Sequence, residues 1–117
     1  MSNYVYLATT DHYSFAGYFK VGITSDYQSR RSQIQSNSPF HIMMYCVVTH
    51  SNPYELEQLI LEKYKRYRIR GEWLTVQPKY CADKPNGFRV HKLSERFADA
   101  VSKFMMTHCD GDVIERP

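Results

Sequence analysis

The chain has 117 residues, with 15 Lys and Arg against 12 Asp and Glu for a formal charge of +3, and is 43% hydrophobic and 15% aromatic. That length holds one hydrophobic core, and the aromatic content excludes a polar disordered chain, which lacks the apolar surface to offset its ordering entropy. No run approaches the roughly 20 apolar residues of a bilayer span, and Met1–Tyr6 shows no basic stretch followed by a long apolar one, so a cytoplasmic location is expected.

In chain order, Tyr4–Ala8 and Tyr18–Ile23 are aromatic and β-branched runs separated by the turn-rich stretch Thr9–Gly17, which reads as a long-looped hairpin. Ser25 with Gln28 has capping-box spacing and predicts a helix to about Ser36, before the breaker Asn37-Ser38-Pro39. Ile42–Thr49 is continuously apolar and fits a central strand covered on both faces. Asn52 as cap, Pro53 at the first helical position and Glu55 at capping-box distance predict a second helix to about Tyr67. Gly71 ends it, and Glu72–Val76 returns as a short strand. After a looser stretch, Gln77–Gly87, the spacing of Leu93, Phe97, Val101, Phe104 and Met105 marks an amphipathic helix from about Lys92 to Met106, followed by a polar tail. The order ββαβαβα predicts an α/β (α+β) sandwich: a small, mostly antiparallel sheet of about three to four strands flanked by helices. Residues 1–77 read as the core. Residues 78–117 read as an extension whose helix packs on that core or forms a homodimer face.

Polar residues on apolar faces point to chemistry. On the second helix, at about 100° per residue, Leu56, Leu59, Ile60, Leu61, Tyr64 and Tyr67 form one broad arc, and Glu57 falls inside it. A carboxylate there needs a partner, so it is either half of a structural ion pair or a functional acid. On the first helix Tyr27 and Ile34 mark the inward stripe, flanked by Arg30 and Arg31, which can meet either Glu57 or a bound anion. The run Lys63-Tyr-Lys-Arg-Tyr-Arg-Ile-Arg70 holds five cations and no acid. It suits phosphate neutralisation with aromatic stacking, or equally a solvated helix end. Cys46, Cys81 and Cys109 read as reduced thiols, because they are odd in number and never spaced Cys-x-x-Cys. A zinc site from Cys81, His91, His108 and Cys109 is disfavoured by the adjacent pair His108-Cys109.

Taken in order, Tyr4-Val5-Tyr6, Lys20-Val21-Gly22-Ile23-Thr24, Arg30, Glu57 and Gly71-Glu72-Trp73 resemble the GIY-YIG nuclease superfamily, closest to its phage-type branch, whose second motif reads Lys-Ile-Gly and which ends in a Gly-Glu-Trp-like strand. The resemblance covers about Tyr4–Val76. It implies that Tyr6 lies near the scissile phosphate, that Gly22 lets backbone approach the site, that Arg30 steadies transition-state charge, and that Glu57 holds one divalent metal, Mg²⁺ or Mn²⁺. In such enzymes a tyrosine or a metal-bound water supplies or deprotonates the nucleophile. The second-motif tyrosine, often assigned as general base, is Lys20 here. Lys20 then acts as a base with a lowered pKa or as a phosphate clamp, and Tyr18 on the same strand face stands in as the phenol. Glu72 is read as a second acid in the site or as a strand-end partner for an arginine. The expectation is a small metal-dependent DNA endonuclease, in the host cytoplasm if phage-encoded, with Arg31, Lys63, Lys65, Arg66, Arg68 and Arg70 on the flanking DNA backbone. The alternative is a catalytically inactive nucleic-acid-binding, inhibitory or regulatory module on the same fold. A protein-interaction domain ranks third, since it leaves the placement of Glu57 and Arg30 unexplained.

Overall fold

The computed structural model of the chain describes residues 3–10, 18–36, 42–76 and 87–116, with backbone alone at Thr10, Arg70 and 87–94. Strands β1 (Tyr4–Thr10), β2 (Tyr18–Thr24), β3 (Ile42–Thr49), β4 (Arg68–Arg70), β5 (Trp73–Thr75) and β6 (Val113–Glu115) alternate with helices α1 (Tyr27–Ser36), α2 (Pro53–Lys63) and α3 (Gly87–His108). The strands form one sheet in the order β4-β5-β2-β1-β3-β6, with every pairing antiparallel. The class is the expected antiparallel α+β sandwich, but six strands replace three or four. The additional strands are three-residue pieces, β4 and β6, too short to carry a readable alternation.

Both faces of β1 are buried, which makes it the covered central strand of the molecule. Val5 and Leu7 join Phe19, Val21, Cys46, Val48 and Leu74 under α2 and α3, which supply Leu56, Ile60, Leu61, Phe97, Ala98, Val101 and Met105. On the opposite face Tyr6, Ala8, Ile42 and Val47 pack with Tyr27 and Ile34 of α1, as the stripe on that helix predicts. As its apolar run predicts, β3 is an interior strand buried on both faces, paired with β1 on one edge and with the short β6 on the other. The β1–β3 register shifts between Leu7, opposite Cys46, and Ala8, opposite Met44. Tyr45 is the extra residue of this bulge. It packs on the α3 side with Cys46, and its hydroxyl donates to Asp99 Oδ1 at 2.6 Å.

Helix ends follow capping chemistry, with two corrections. Asn52 Oδ1 accepts the Glu55 N–H at 3.3 Å and Asn52 Nδ2 reaches Glu55 Oε2 at 3.4 Å, with Pro53 in the first turn, as its sequence predicts. For α1 the cap is Asp26 rather than Ser25: its Oδ1 accepts the Ser29 N–H at 3.1 Å, and Thr24 Oγ1 braces the Asp26 backbone at 3.1 Å. Helix α2 stops at Lys63 instead of Tyr67, and a 3₁₀ turn spans Lys65–Tyr67. In such a turn residues three apart eclipse, so Tyr64 and Tyr67 both reach Phe97, with ring centroids 5.4 and 4.9 Å away. Gly71 serves the β4–β5 turn with φ of 53°, a left-handed value that disfavours other residues there, rather than ending a helix. Leu59 lies outside the buried arc and is 44% exposed, because that arc runs from Leu56 through Glu57 to Leu61. Helix α3 starts a turn and a half before the expected boundary, and the polar tail supplies β6. The 11–17 loop, the 37–39 breaker and Cys81 lie outside the described residues, as do the side chains of Leu93 and His91.

Candidate functional site

Tyr6 sits opposite Gly22 in the β1–β2 register. Its ring lies directly over that glycine, so a methyl group added there would overlap Cζ and Oη of the phenol. Backbone approach at Gly22 thus serves the Tyr6 ring, which the missing Cβ admits into the sheet face. The phenol is 1% exposed. Burial pushes its pKa up to about 12, opposed by the charge of Arg30 and reinforced by Glu72 and Glu57. Tyr6 is therefore a neutral hydroxyl at physiological pH, within electrostatic reach of Arg30, Glu72 and Glu57.

Glu57 comes from α2, the layer opposite α1. It is 4% exposed, inside the arc that also buries Leu56, Ile60 and Leu61. Gln58 Nε2 donates to Oε1 at 3.3 Å, while Oε2 is buried with no hydrogen-bond partner. Burial raises the carboxyl pKa above its ordinary 4.5, and the Glu72 charge adds to the rise. The Gln58 hydrogen bond and the charges of Lys20 and Arg68 oppose it. A desolvated carboxylate with one unpartnered oxygen is the hard donor type that a divalent cation such as Mg²⁺ takes. Among the described residues no three His, Cys, Asp or Glu cluster to hold a metal, so no zinc-type cage forms there.

Lys20 and Tyr18 lie on the Tyr6 face of β2, facing Trp73 and Thr75 of β5 in register. Lys20 Nζ is 3.4 Å from Glu72 Oε2 and 5.4 Å from the Trp73 ring centroid. The β4–β5 turn makes this possible. With Gly71 at the bend, Glu72 accepts the Val21 N–H at 3.0 Å through its carbonyl and turns its carboxylate to Lys20. The expected arginine partner of Glu72 is therefore corrected to Lys20, while Arg68 Nε binds the Gly71 carbonyl at 2.5 Å. Two contributors lie outside the expected site residues: Gln58, and Trp73, which the sequence offers only as part of the closing Gly71-Glu72-Trp73 signature. Gln58 carries no motif signal, whereas Trp73 is the lone tryptophan of the chain.

Arg30 is exposed on α1, and its charge is felt at Tyr6. Arg31 is committed differently: its Nε donates to the Ile42 carbonyl at 3.2 Å, while Gln35 Oε1 accepts the Ile42 N–H at 2.7 Å, so the pair ties α1 to the start of β3. Among the described residues neither arginine forms an ion pair with Glu57. The basic run is divided between elements. Lys63 lies 5.3 Å from the Phe104 ring, Lys65 pairs with Glu62 at 3.2 Å, and Arg66 sits 5.4 Å from the Tyr67 ring. Its two tyrosines face the core, which removes them as stacking partners for bases. The Arg70 side chain lies outside the described residues.

Arg30, Glu57 and Glu72 thus act electrostatically on the Tyr6 phenol, and Lys20 pairs with Glu72. A family model described as the T5orf172 domain matches residues 3–100, which include all five. The chain belongs to the T5orf172 domain family. The T5orf172 domain is a phage-associated, nuclease-related type, which makes this chain a nuclease-like or DNA-binding domain. The T5orf172 match runs through β5 and into α3, further than the motifs that end at Val76. No curated protein and no solved structure matches the chain significantly. No helix among its described residues is long and apolar enough to cross a membrane.

Proposed function

We propose that this T5orf172 domain is a divalent-metal-dependent DNA endonuclease of the GIY-YIG type. The observation that carries the reading is the buried, unpartnered Oε2 of Glu57, held within electrostatic reach of Lys20 and of the Tyr6 phenol. Glu57 is the residue that would hold Mg²⁺ or Mn²⁺. A divalent ion bound there supplies Lewis-acid stabilisation of the phosphate and of the leaving oxygen. Arg30 offers a fixed cation to the phosphoryl oxygens as charge develops. Tyr6, kept protonated by burial, donates a hydrogen bond to the phosphate rather than taking a proton. Lys20, paired with Glu72, clamps phosphate, and Tyr18 on the same face of β2 is the phenol that would stand in for the motif tyrosine.

The second reading, a catalytically silent DNA-binding module, is favoured by one observation: Lys20 stands in place of the motif tyrosine and is already engaged by an acid. Plasmid nicking separates the two. With Mg²⁺ or Mn²⁺ the purified chain is expected to convert supercoiled DNA to nicked and linear forms. Glu57→Ala and Arg30→Ala should each lower the rate by about 10²-fold or more, with DNA binding retained. Binding without cleavage under any divalent ion selects the module.

A further inference from the structure

Trp73 is the one tryptophan in the chain, and the proposed nuclease chemistry does not use it. Its neighbours in β5, Leu74 and Thr75, are fully buried, whereas Trp73 is 37% exposed. A single exposed aromatic is unremarkable on a protein surface. Its surroundings are what distinguish it. It lies on the sheet face that carries Tyr6 and Lys20, directly opposite Lys20 in register, with the Lys20 ammonium 5.4 Å from its ring centroid. The ammonium is anchored by Glu72 at 3.4 Å, so the cation and the ring are held together at the edge of the cluster.

The ammonium lies over one face of the indole, so a base stacks on the other face, and ring and cation together match the two recognition elements of one nucleotide, its base and its phosphate. Bases inside a continuous duplex are stacked on one another and present no free π-face, so an aromatic side chain engages only a base that is unpaired or turned out of the stack. The interleaved tyrosines Tyr64 and Tyr67 cannot serve, because both pack on Phe97. We propose that Trp73 is a stacking platform for an unpaired nucleobase next to the phosphate held by Lys20, so that the preferred substrate is DNA with single-stranded nucleotides at the cleavage point. This rests on the endonuclease reading above and names the substrate class of that same site.

Because Trp73 is the lone tryptophan, its emission reports the site directly. The full chain is titrated without divalent metal against a single-stranded oligodeoxynucleotide and against its duplex, following tryptophan emission and the anisotropy of dye-labelled DNA in parallel. Single-stranded DNA is expected to quench the emission strongly and duplex to leave it nearly unchanged. Trp73→Ala should weaken single-strand binding by about tenfold, the size of one lost base–aromatic stack. Trp73→Phe should restore most of that loss, and duplex affinity should stay constant in both variants. Equal quenching by both DNAs, or a Trp73→Ala variant that binds single strands normally, overturns the proposal while leaving the nuclease reading intact. Absence of any anisotropy change with either DNA overturns both.

Discussion

A carboxylate that is buried and only half satisfied destabilises the fold that holds it, and Glu57 is such a group. Its pKa is raised in the folded chain, so the folded state keeps a proton that the unfolded state releases. The sign follows from that difference. Stability contributed by protonated Glu57 is fully present below the ordinary value of 4.5 and is lost as pH rises through the raised value. Glu57→Gln removes the charge at constant shape. At neutral pH without metal it should raise Tm by a few degrees, roughly what 1 kcal/mol does in a small domain, and cleavage should be lost. Added Mg²⁺ should raise Tm of the parent chain and leave the variant unchanged. A variant that melts lower, together with a parent indifferent to Mg²⁺, would remove Glu57 from the metal role. At this scale the sequence was informative about Glu57, because the helical period alone put it among Leu56, Ile60 and Leu61. It was uninformative about Arg31, whose tie to Ile42 depends on how α1 lies across β3.

Among the elements, α2 was the most legible, since its cap, its proline and its first-turn acid are local signals that need no tertiary partner. Replacing Asn52 with Ala should cost about 1 kcal/mol and Asn52→Gly only a few tenths, measured by chemical denaturation. Equal losses in the two variants would show that the side-chain cap contributes little. Ser25 and Asp26 are both good caps, so capping preference alone does not fix the first residue of α1. The choice fell to Asp26 once Thr24 Oγ1 bound its backbone. The Lys63–Arg70 run looked like a helix end for a related reason. Its residue types permit a helix, whereas the chain forms a 3₁₀ turn that brings both Tyr64 and Tyr67 onto Phe97. The short strands β4 and β6 exist only because β5 and β3 offer them edges to pair with.

Over the whole molecule, α3 is built into the main core. Phe97 meets Phe19, Tyr64 and Tyr67, and Ala98, Val101 and Met105 complete the layer over β1 and β3. Near its end Asp110 receives hydrogen bonds from the Ser51 N–H at 2.8 Å and from the Ser51 hydroxyl, and lies 3.9 Å from His50 Nε2. This links the segment before β6 to the lead-in of α2. A fragment of residues 1–77 would expose that core and is expected to be unfolded by circular dichroism and amide exchange, whereas the full chain shows one cooperative transition. A folded, cleavage-competent fragment would reduce α3 to an accessory. The sequence by itself determined the class of the fold, the burial of Glu57, the inward stripe of α1 and the ordered motifs, because periodicity, capping and spacing are local. Only the tertiary structure decided that Tyr6 lies over Gly22, that Lys20 pairs with Glu72, that the basic run is split between elements and that α3 belongs to the core. Those outcomes depend on strand order, register and a left-handed turn at Gly71, which bring together residues distant in the chain and leave no period or spacing along it.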